Sequence, residues 1–154
     1  MTRRPKLALV CSHGGHLTEM LTLRAAMPDC DAFFFCYDAE TTRALPHAYL
    51  VPNKPYSPLR FVINAVKIWR IVSRERPDFL LSTGAEIAIP WFLIAKLRGI
   101  PSLYIECGAQ VTKPSMTGRI VVHLADRFLV QWPEMLEAYG PRAAYEGSLV
   151  DEAP

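Results

Sequence analysis

Short, continuously apolar runs alternate along this chain with segments of helical periodicity, and that alternation restricts the fold more than any other feature. The apolar runs predict strands at residues 6–11, 32–37, 48–51, 79–82, 102–106, 127–131 and 143–145. Helical periodicity predicts helices at residues 15–26, 58–75, 86–98, 116–124 and 134–139. Strands that are apolar throughout are typical of a sheet covered by helices on both faces. We therefore expect an α/β fold with a parallel sheet and right-handed crossovers.

The length and the balance of residue types exclude several classes of chain. The 154 residues are enough to bury a core, and we expect one domain over residues 1–154. A hydrophobic share of 51% with 21% charged residues is typical of a globular protein rather than a disordered one. No apolar run reaches the roughly 18 residues of a membrane span, and the run after the basic N-terminus is too short for a signal peptide. We therefore expect a cytoplasmic protein.

Polar residues and glycines collect where the predicted strands end. In parallel α/β sheets ligands bind beyond the carboxyl ends of the strands, so the residues that follow each strand mark the functional edge. We expect a substrate site there, built from Ser12, Gly14, Gly15, Thr83, Gly84, Glu86, Glu106 and Gln131.

The sharpest motif on this edge is CSHGGH, residues 11–16, between the first strand and the first helix. Because glycine has no Cβ, Gly14 and Gly15 let a ligand approach the backbone, and the helix start offers free N–H groups to an anion. A Walker loop is absent and the dinucleotide fingerprint GxGxxG is incomplete, although Asp38 stands near the position of a ribose-binding acid. The motif is compatible both with a ligand-binding turn and with a simple tight connection.

Two residues at this edge are candidates for catalysis. His16, in the first turn of the helix, is positioned to accept a proton from a substrate hydroxyl, and it is equally suited to capping the helix or bonding a carbonyl. Glu106 ends an apolar strand, where a carboxylate acts as a base, binds a hydroxyl, or forms a salt bridge with Lys113. No metal or cofactor is expected, because His13 and His16 lack a third ligand and the cysteines lack metal-ligand spacing.

Positive charge is concentrated in one segment. Residues 54–76 carry six basic residues and one acid, a net charge of +5, which favours an anionic ligand or surface. Within the predicted helix, three basic residues seven positions apart share a face among apolar neighbours. Such a helix either lies in a membrane interface or is a crossover helix with a solvated basic face. We expect no nucleic-acid partner, and we expect the cytoplasmic membrane surface to be contacted by Arg60, Lys67, Trp69, Arg70 and Arg74.

Four stretches of the sequence carry a family resemblance: LALVCSHGGHLTEMLTL, RPDFLLSTGAEIAIPWFLIAKLRGIPSLYIECGA, KPSMTGRIVVHLADRFLVQWPEM and AAYEGSLV. They resemble the PssD-type exopolysaccharide glycosyltransferase subunits. That family is related to the membrane-anchored, acceptor-side subunit of the eukaryotic dolichol-pyrophosphate GlcNAc transferase. The resemblance extends from residue 6 to about residue 149.

The resemblance implies a Rossmann-like fold equivalent to the N-terminal half of a GT-B glycosyltransferase, with the other half on a separate subunit. It implies that Gly14, Gly15 and His16 face the cleft between the halves. The partner subunit would bind the donor, UDP-glucuronic acid or another UDP-sugar. This chain would hold a polyprenyl-pyrophosphate-linked saccharide as acceptor. The implied function is sugar transfer in exopolysaccharide or capsule synthesis, at the inner face of the cytoplasmic membrane.

The sequence departs from the family at two places. The eukaryotic relatives carry an N-terminal membrane anchor that is absent before the first strand here, so we expect membrane contact through the folded domain. Cys107-Gly108-Ala109 stand where the family has more Ser- or Phe-like residues. Two alternatives stay open. One is a non-catalytic scaffold that recruits a catalytic partner to the membrane. The other is a small dinucleotide-binding oxidoreductase, which the incomplete glycine fingerprint disfavours.

Overall fold

The fold is a sheet of parallel strands covered by helices, and the computed structural model describes residues 3–150 of the chain. The strands are β1 Lys6–Val10, β2 Asp31–Tyr37, β3 Ala48–Val51, β4 Phe79–Ser82, β5 Ser102–Ile105, β6 Arg127–Val130 and β7 Ala143–Tyr145. The helices are α1 Gly15–Ala25, α2 Glu40–Arg43, α3 Pro58–Glu75, α4 Ala88–Arg98, α5 Met116–Val121 and α6 Met135–Tyr139, and a 3₁₀ turn, Gly140–Arg142, precedes β7. Every strand pairing in this sheet is parallel, which confirms the predicted Rossmann-like α/β fold.

The order of the strands creates a crevice at the carboxyl edge of the sheet. The order is β3-β2-β1-β4-β5-β6-β7, so the first strand lies between β2 and β4. Leu9 of β1 is in register with Phe34 on one side and with Leu81 on the other. Because the chain leaves β1 and β4 in opposite directions across the sheet, a crevice opens between the loops that follow these two strands. The fold therefore favours a ligand site at this point.

Both faces of the sheet are buried, which explains why the strands are apolar throughout. Ala8 of β1 belongs to the core cluster under α3 and α4, where it is buried with Ile68 and Trp91. Its neighbour Leu9 belongs to the opposite cluster, under α1, with Met20. Burial of each large apolar side chain stabilises the folded state by about 1.5–3 kcal/mol. The two layers of helices are therefore held to the sheet mainly by hydrophobic packing.

Local signals set the ends of α3, the longest helix. The Ser57 hydroxyl accepts a bond from the Arg60 backbone N–H at 3.4 Å, and Pro58 occupies the first turn, where its missing N–H is not needed. The helix ends at Glu75, because Arg76 adopts the left-handed conformation with φ 48°. These bounds agree with the predicted helix at residues 58–75.

Several predicted elements are shorter at the edge that faces the crevice. The fifth and sixth strands end at Ile105 and Val130, and the Glu106 carbonyl that follows accepts from the Gln131 side chain at 3.0 Å. Helix α4 begins at Ala88 rather than at residue 86, because a tighter turn precedes it, in which the Ala88 N–H donates to the Ala85 carbonyl at 3.0 Å. The sequence did not predict the four-residue helix α2.

The described helices bear on the expected relation to the membrane. None of the helices within residues 3–150 is long and apolar enough to cross a bilayer. Residues 1–2 begin the basic stretch on which the signal-peptide argument rests, and they lie outside the described residues.

Candidate functional site

Two hydrogen bonds between His16 and Thr83 join the loop after β1 to the loop after β4. Nδ1 of His16 lies 2.8 Å from the Thr83 carbonyl oxygen, and the Thr83 hydroxyl donates to the His16 carbonyl at 2.7 Å. A carbonyl oxygen only accepts, so Nδ1 carries the proton of the neutral ring and Nε2 keeps its lone pair. The imidazole at the start of α1 is therefore anchored through one nitrogen and available through the other.

Gly84 permits this arrangement, because a side chain at its position would collide with the imidazole. A Cβ on Gly84 would lie 2.7 Å from Cε1 and 2.8 Å from Nδ1 of His16. The φ of Gly84, 127°, is also one that residues with a Cβ rarely adopt. Gly14 and Gly15 differ from it, because a Cβ at either would meet open space. The two glycines of the CSHGGH turn therefore leave the backbone accessible, whereas Gly84 makes room for His16.

His16 lines a pocket of about 360 Å³ at the carboxyl edge of the sheet. We name it the polar pocket, and its polar side chains are Ser12, His13, His16, Tyr37, Asn53, Tyr56, Glu86, Tyr104, Glu106, Cys107, Gln110, Ser115 and Thr117. Of the predicted site residues, it brings together Ser12, His16, Glu86 and Glu106. The predicted residues outside its lining are Gly14, Gly15, Thr83, Gly84 and Gln131.

Sequence reasoning missed three prominent residues of the polar pocket. Tyr37 is the last residue of β2, so the strand-end rule that singled out Ser12 applied to it as well. Tyr56 and Gln110 lie in long loops, where no strand end or helical period marks a position. Their approach to the pocket depends on how the loops fold back over the sheet.

Glu106 is buried, and neutral donors surround its carboxylate. It is 1% exposed and accepts bonds from the Ser115 hydroxyl at 2.8 and 3.0 Å, from the Cys107 N–H at 3.1 Å and from the Tyr139 hydroxyl. The alternative of a salt bridge to Lys113 is wrong, since no ion pair within residues 3–150 involves Glu106. Burial and the bond to Glu106 raise the pKa of Tyr139, which keeps its hydroxyl a donor. Glu106 therefore ties the following loop and α5 to the end of β5.

Gln131 connects two loops beneath the polar pocket. Its Nε2 donates to the Glu106 carbonyl, and its Oε1 accepts from the Leu149 N–H at 2.7 Å and from the Ser148 hydroxyl at 3.3 Å. The residue is 2% exposed. The structure thus places Gln131 as a link between the end of β5 and the segment that follows β7.

Glu86 is the half-buried carboxylate of the pocket, and Tyr37 orients it. The Tyr37 hydroxyl donates to Oε1 of Glu86. Burial and this bond raise the pKa of Tyr37 above its ordinary value, so the phenol stays protonated. Within the described part of the chain, Oε2 of Glu86 has no hydrogen-bond partner. Glu86 therefore has one oxygen held by the protein and one available to a ligand.

A second concavity, the apolar groove, lies between the starts of α3, α4 and α5 and has a volume of about 460 Å³. Its lining is mostly carbon, contributed by Phe61, Val62, Ile87, Ile89, Pro90, Met116 and Ile120. The groove adjoins the polar pocket, because both are lined by Tyr37, Tyr56, Glu86, Met116 and Thr117.

The outward face of α3 is also apolar. We name it the outer α3 patch, and its members, each between 44% and 70% exposed, are Leu59, Val62, Ile63, Val66 and Trp69. The neighbouring helix adds Leu97, which is 76% exposed, and Arg98, whose guanidinium lies 4.7 Å from the centre of the Trp69 ring. Contiguous exposed apolar surface of this kind marks a site of contact with a protein or a membrane.

The predicted basic stripe, formed by Arg60, Lys67 and Arg74, borders the outer α3 patch, since Lys67 and Arg74 line one surface concavity with Val66 of the patch. Nζ of Lys67 donates to the Leu50 carbonyl at 3.0 Å, and burial lowers the pKa of Lys67. The Arg74 guanidinium lies over the ring of Tyr49 at 5.2 Å. Arg70 is exposed. The structure therefore corrects the expectation that these residues present one shared face to the membrane, since Lys67 is turned back against β3.

Two further sequence features have structural partners. Asp38, at the position of a ribose-binding acid, accepts bonds from Arg43 at 2.6 and 3.0 Å, which lower the pKa of Asp38. The four cysteines are free thiols, and Cys11 and Cys36 are buried with their sulfurs 3.7 Å apart. Across residues 3–150, no three His, Cys, Asp or Glu side chains cluster in a way that would hold a metal ion.

A protein-family model matches more than half of the chain. The model of the family described as "Oligosaccharide biosynthesis protein Alg14 like" matches residues 43–149 of the chain.

Curated relatives carry two kinds of name. The chain is 36% identical over 86 residues to the UDP-N-acetylglucosamine transferase subunit ALG14 of Homo sapiens, covering 52% of this chain and 39% of that protein. The protein of the same name in Yarrowia lipolytica is 27% identical over 177 residues, covering 95% of this chain and 82% of that protein. A Salinibacter ruber protein is 29% identical over 153 residues, covering 86% of this chain and 40% of that protein. It is named UDP-N-acetylglucosamine--N-acetylmuramyl-(pentapeptide) pyrophosphoryl-undecaprenol N-acetylglucosamine transferase. The chain thus spans well under half the length of the human and Salinibacter relatives.

A solved structure shares the fold. The crystal structure of Acinetobacter baumannii MurG superposes with a TM-score of 0.76 at 16% sequence identity, covering 96% of this chain and 47% of that one. The sheet and its helices therefore share the fold of about half of the MurG chain.

Proposed function

The chain belongs to the Alg14-like family of oligosaccharide biosynthesis proteins, and from this premise we propose that it is the acceptor-binding subunit of a two-chain glycosyltransferase. The partner chain would supply the nucleotide-sugar site, and this chain would supply the other wall of the cleft. The sugar would pass from a UDP-sugar to a saccharide linked to polyprenyl pyrophosphate. We extend the proposal to exopolysaccharide or capsule synthesis, with glucuronic acid or a similar sugar as the group transferred.

The names and lengths of the relatives support this proposal. The human relative is named as a subunit of a UDP-N-acetylglucosamine transferase, and the Salinibacter relative is named for a pyrophosphoryl-undecaprenol substrate. The chain covers 47% of the MurG chain, which is the share expected for one half of a two-domain enzyme. UDP-N-acetylglucosamine is common to both names, and the lipid-linked acceptor comes from the Salinibacter name.

The observation that carries the proposal is the anchored imidazole of His16 beside the polar pocket. Its Nδ1 is held by the Thr83 carbonyl, so Nε2 is the nitrogen that meets a ligand. In the proposed reaction, the acceptor hydroxyl oxygen bonds to the anomeric carbon of the donor while the bond from that carbon to UDP breaks. Nε2 of His16 takes the hydroxyl proton, which makes the attacking oxygen a stronger nucleophile.

The other residues of the site have supporting roles in this proposal. Ser12 and the available oxygen of Glu86 are suited to hydrogen bonds with acceptor hydroxyls. Glu106 acts as a positioning residue, because its carboxylate is occupied by Ser115 and Tyr139. Gly14 and its neighbour Gly15 leave the backbone open towards the partner's half of the cleft.

We place the protein at the inner face of the cytoplasmic membrane, with the outer α3 patch as its contact surface. The patch combines exposed side chains such as Trp69 with neighbouring cations such as Arg70 and Arg98. Apolar side chains flanked by basic ones are typical of helices that lie in an anionic membrane interface. A peripheral location would bring the polar pocket close to a lipid-linked acceptor.

The experiment that tests this function is sugar transfer by the reconstituted two-chain enzyme. The chain and its partner are assayed together and separately with UDP-sugars and a polyprenyl-pyrophosphate-linked saccharide. We expect turnover only when both chains are present, because each supplies one side of the cleft. Robust transfer by this chain alone would overturn the half-enzyme proposal.

A second candidate function is a non-catalytic scaffold that brings a catalytic partner to the membrane. The outer α3 patch favours it, since membrane contact by itself requires no chemistry from this chain. The two functions differ in the effect of His16 variants on the two-chain enzyme, because a scaffold tolerates them. A dinucleotide-binding oxidoreductase is the weakest alternative, because Asp38 is already paired with Arg43.

A further inference from the structure

Resting on the proposed function, we propose that the apolar groove binds the isoprene units nearest the pyrophosphate of the acceptor, and that Lys54 and Arg60 bind the pyrophosphate itself. The groove is then a specificity site for the lipid carrier. It adjoins the polar pocket on one side and the outer α3 patch on the other.

The first argument is that the groove and the polar pocket meet along a shared wall. Tyr37 and Glu86 form one part of that wall, and Met116 and Thr117 at the start of α5 form another. A molecule that places a sugar hydroxyl at His16 therefore reaches the groove with its next chemical group. In a lipid-linked saccharide that next group is the pyrophosphate, and the isoprenoid follows it.

The second argument is the chemistry of the groove lining. Ile87, Ile89 and Pro90 lie at the start of α4, and Phe61 and Val62 lie in the first turns of α3. The volume of about 460 Å³ falls in the range typical of small-molecule sites. Such a lining gives a sugar few hydrogen bonds, whereas it removes an isoprenoid chain from water.

The third argument is the position of the cations. Lys54 and Arg60 line the groove, and no lysine or arginine within the described residues lines the polar pocket. Glu86 is the acid of the groove lining, and its Oε1 is occupied by the Tyr37 hydroxyl. Two cations against one carboxylate leave a net positive charge at the groove. An anion on the acceptor therefore finds its charge complement there rather than beside His16.

The fourth argument is that the groove leads onto the outer α3 patch. Val62 lines the groove and is also 59% exposed as a member of the patch. Val66, one turn further along the helix, belongs to the patch and lies outside the groove lining. The remainder of a long isoprenoid would pass over this boundary into the bilayer. The surface thus runs from polar to cationic to apolar, in the same order as sugar, pyrophosphate and isoprenoid.

The experiment is calorimetric binding of farnesyl pyrophosphate to the full chain in solution, without membranes or the partner. We expect Val62→Glu to weaken binding about tenfold or more, because its carboxylate would lie unpaired against isoprenoid carbon. Val66→Glu is the matched control, with the same substitution at a similarly exposed position of the same helix, and it should bind like the wild type. Equal affinities for Val62→Glu and the wild type would overturn the groove assignment.

The cations are tested with farnesyl pyrophosphate, farnesol and inorganic pyrophosphate as separate probes. Arg60→Gln and Lys54→Gln should each weaken the binding of farnesyl pyrophosphate severalfold and leave the affinity for farnesol unchanged, because only the pyrophosphate carries charge. Arg70→Gln, an exposed cation outside the groove, is the control and should change neither. Inorganic pyrophosphate binding as tightly as farnesyl pyrophosphate would overturn the isoprenoid part of the proposal.

Failure of this inference is distinguishable from failure of the proposed function. If the two-chain enzyme transfers sugar but Val62→Glu binds farnesyl pyrophosphate like the wild type, the groove assignment fails and the function stands. If the wild type binds farnesyl pyrophosphate through the groove but the two-chain enzyme transfers no sugar, the function fails and the groove remains a prenyl-pyrophosphate site. Because Val62 and Val66 are exposed, both variants should retain the thermal unfolding midpoint of the wild type.

Discussion

Thr83 and His16 bind each other through both a side chain and a backbone carbonyl, although they are 67 residues apart in the chain. The His16 ring lies 2.8 Å from the Thr83 carbonyl, and the Thr83 hydroxyl returns a bond of 2.7 Å to the His16 carbonyl. The pair joins the loops after β1 and β4 across the crevice. It also decides which imidazole nitrogen faces the polar pocket, and the central prediction depends on that.

The first prediction concerns His16. If Nε2 accepts the acceptor proton, His16→Ala should lower kcat of the two-chain enzyme by about 10²–10⁴ and leave partner binding intact. His13→Ala is the control, since His13 lines the same pocket but is exposed and has no comparable anchor. Steady-state kinetics of both variants provide the measurement. A His16→Ala enzyme within about threefold of the wild type would remove the residue from catalysis.

The second prediction concerns Gly84. Gly84→Ala should displace the imidazole and lower kcat markedly, because the new Cβ would lie 2.7 Å from His16 Cε1. Gly99→Ala is the control, since Gly99 also has a positive φ, 65°, but its Cβ would meet nothing within 4 Å. Both variants should lose about 1–3 kcal/mol of unfolding free energy from backbone strain. Activity loss in both variants alike would show that the effect is strain and not displacement of His16.

The third prediction concerns Glu106. Glu106→Gln should lower the free energy of unfolding by about 1–3 kcal/mol, because its amide N–H₂ would oppose the donors of Ser115 and Tyr139. Tyr139→Phe, which removes one donor and leaves the carboxylate, should lower the free energy of unfolding by about 0.5–1.5 kcal/mol. Urea unfolding of both variants checks this order. The positioning role predicts that adding Glu106→Gln to His16→Ala lowers kcat little further, since residues that act as a unit are non-additive.

The fourth prediction concerns membrane contact. Arg70→Gln should weaken binding to anionic vesicles by about 1 kcal/mol, because each basic residue near such a surface contributes about that much. Lys67→Gln should weaken it less, since Nζ of Lys67 is committed to the Leu50 carbonyl. Vesicle co-sedimentation at low and high salt measures both, with Arg142→Gln, distant along the chain from α3, as the control. If the variants bind vesicles like the wild type, and if that binding is insensitive to salt, the basic residues do not contact lipid.

The fifth prediction concerns the acid side of the stability profile. Burial acts to raise the pKa of Glu75, but hydrogen bonds from Tyr49 and Lys6 and the nearby His47 outweigh it and lower the pKa to about 2. A carboxylate with a depressed pKa in the folded state stabilises the protein above its unfolded pKa of about 4.3 and stops doing so as pH falls. Between pH 4.5 and 2, the wild type should therefore lose more unfolding free energy than Glu75→Gln does.

The control for this profile is Glu146→Gln. Glu146 pairs with Arg127 at 2.5 Å, but both side chains are more than half exposed, so the pair contributes little. Its variant should follow the wild-type profile. Parallel profiles for Glu75→Gln and the wild type would contradict the assignment to Glu75.

The sequence by itself determined the class of fold and the edge that carries the site. Continuous apolar runs such as residues 32–37 require cover on both faces of the sheet, and the physical cause, burial of apolar side chains, acts at every position of the run. The ends of these runs then located Ser12 and Glu86 at one edge, because parallel strands all end on the same side. The bounds of α3 were also readable, since Ser57 and Pro58 are local helix-start signals.

Only the tertiary structure decided which of these residues meet and what each side chain does. The sequence left Glu106 open between a base, a hydroxyl-binding group and a salt bridge, and the fold surrounded it with Ser115 and Tyr139. Lys67 was expected to contact the membrane surface, and its nearness to β3 turned it onto the Leu50 carbonyl. Such contacts join positions far apart in the chain, whereas periodicity and strand ends report only local preference. The arrangement of strands and helices, set by packing over the whole chain, therefore decides them.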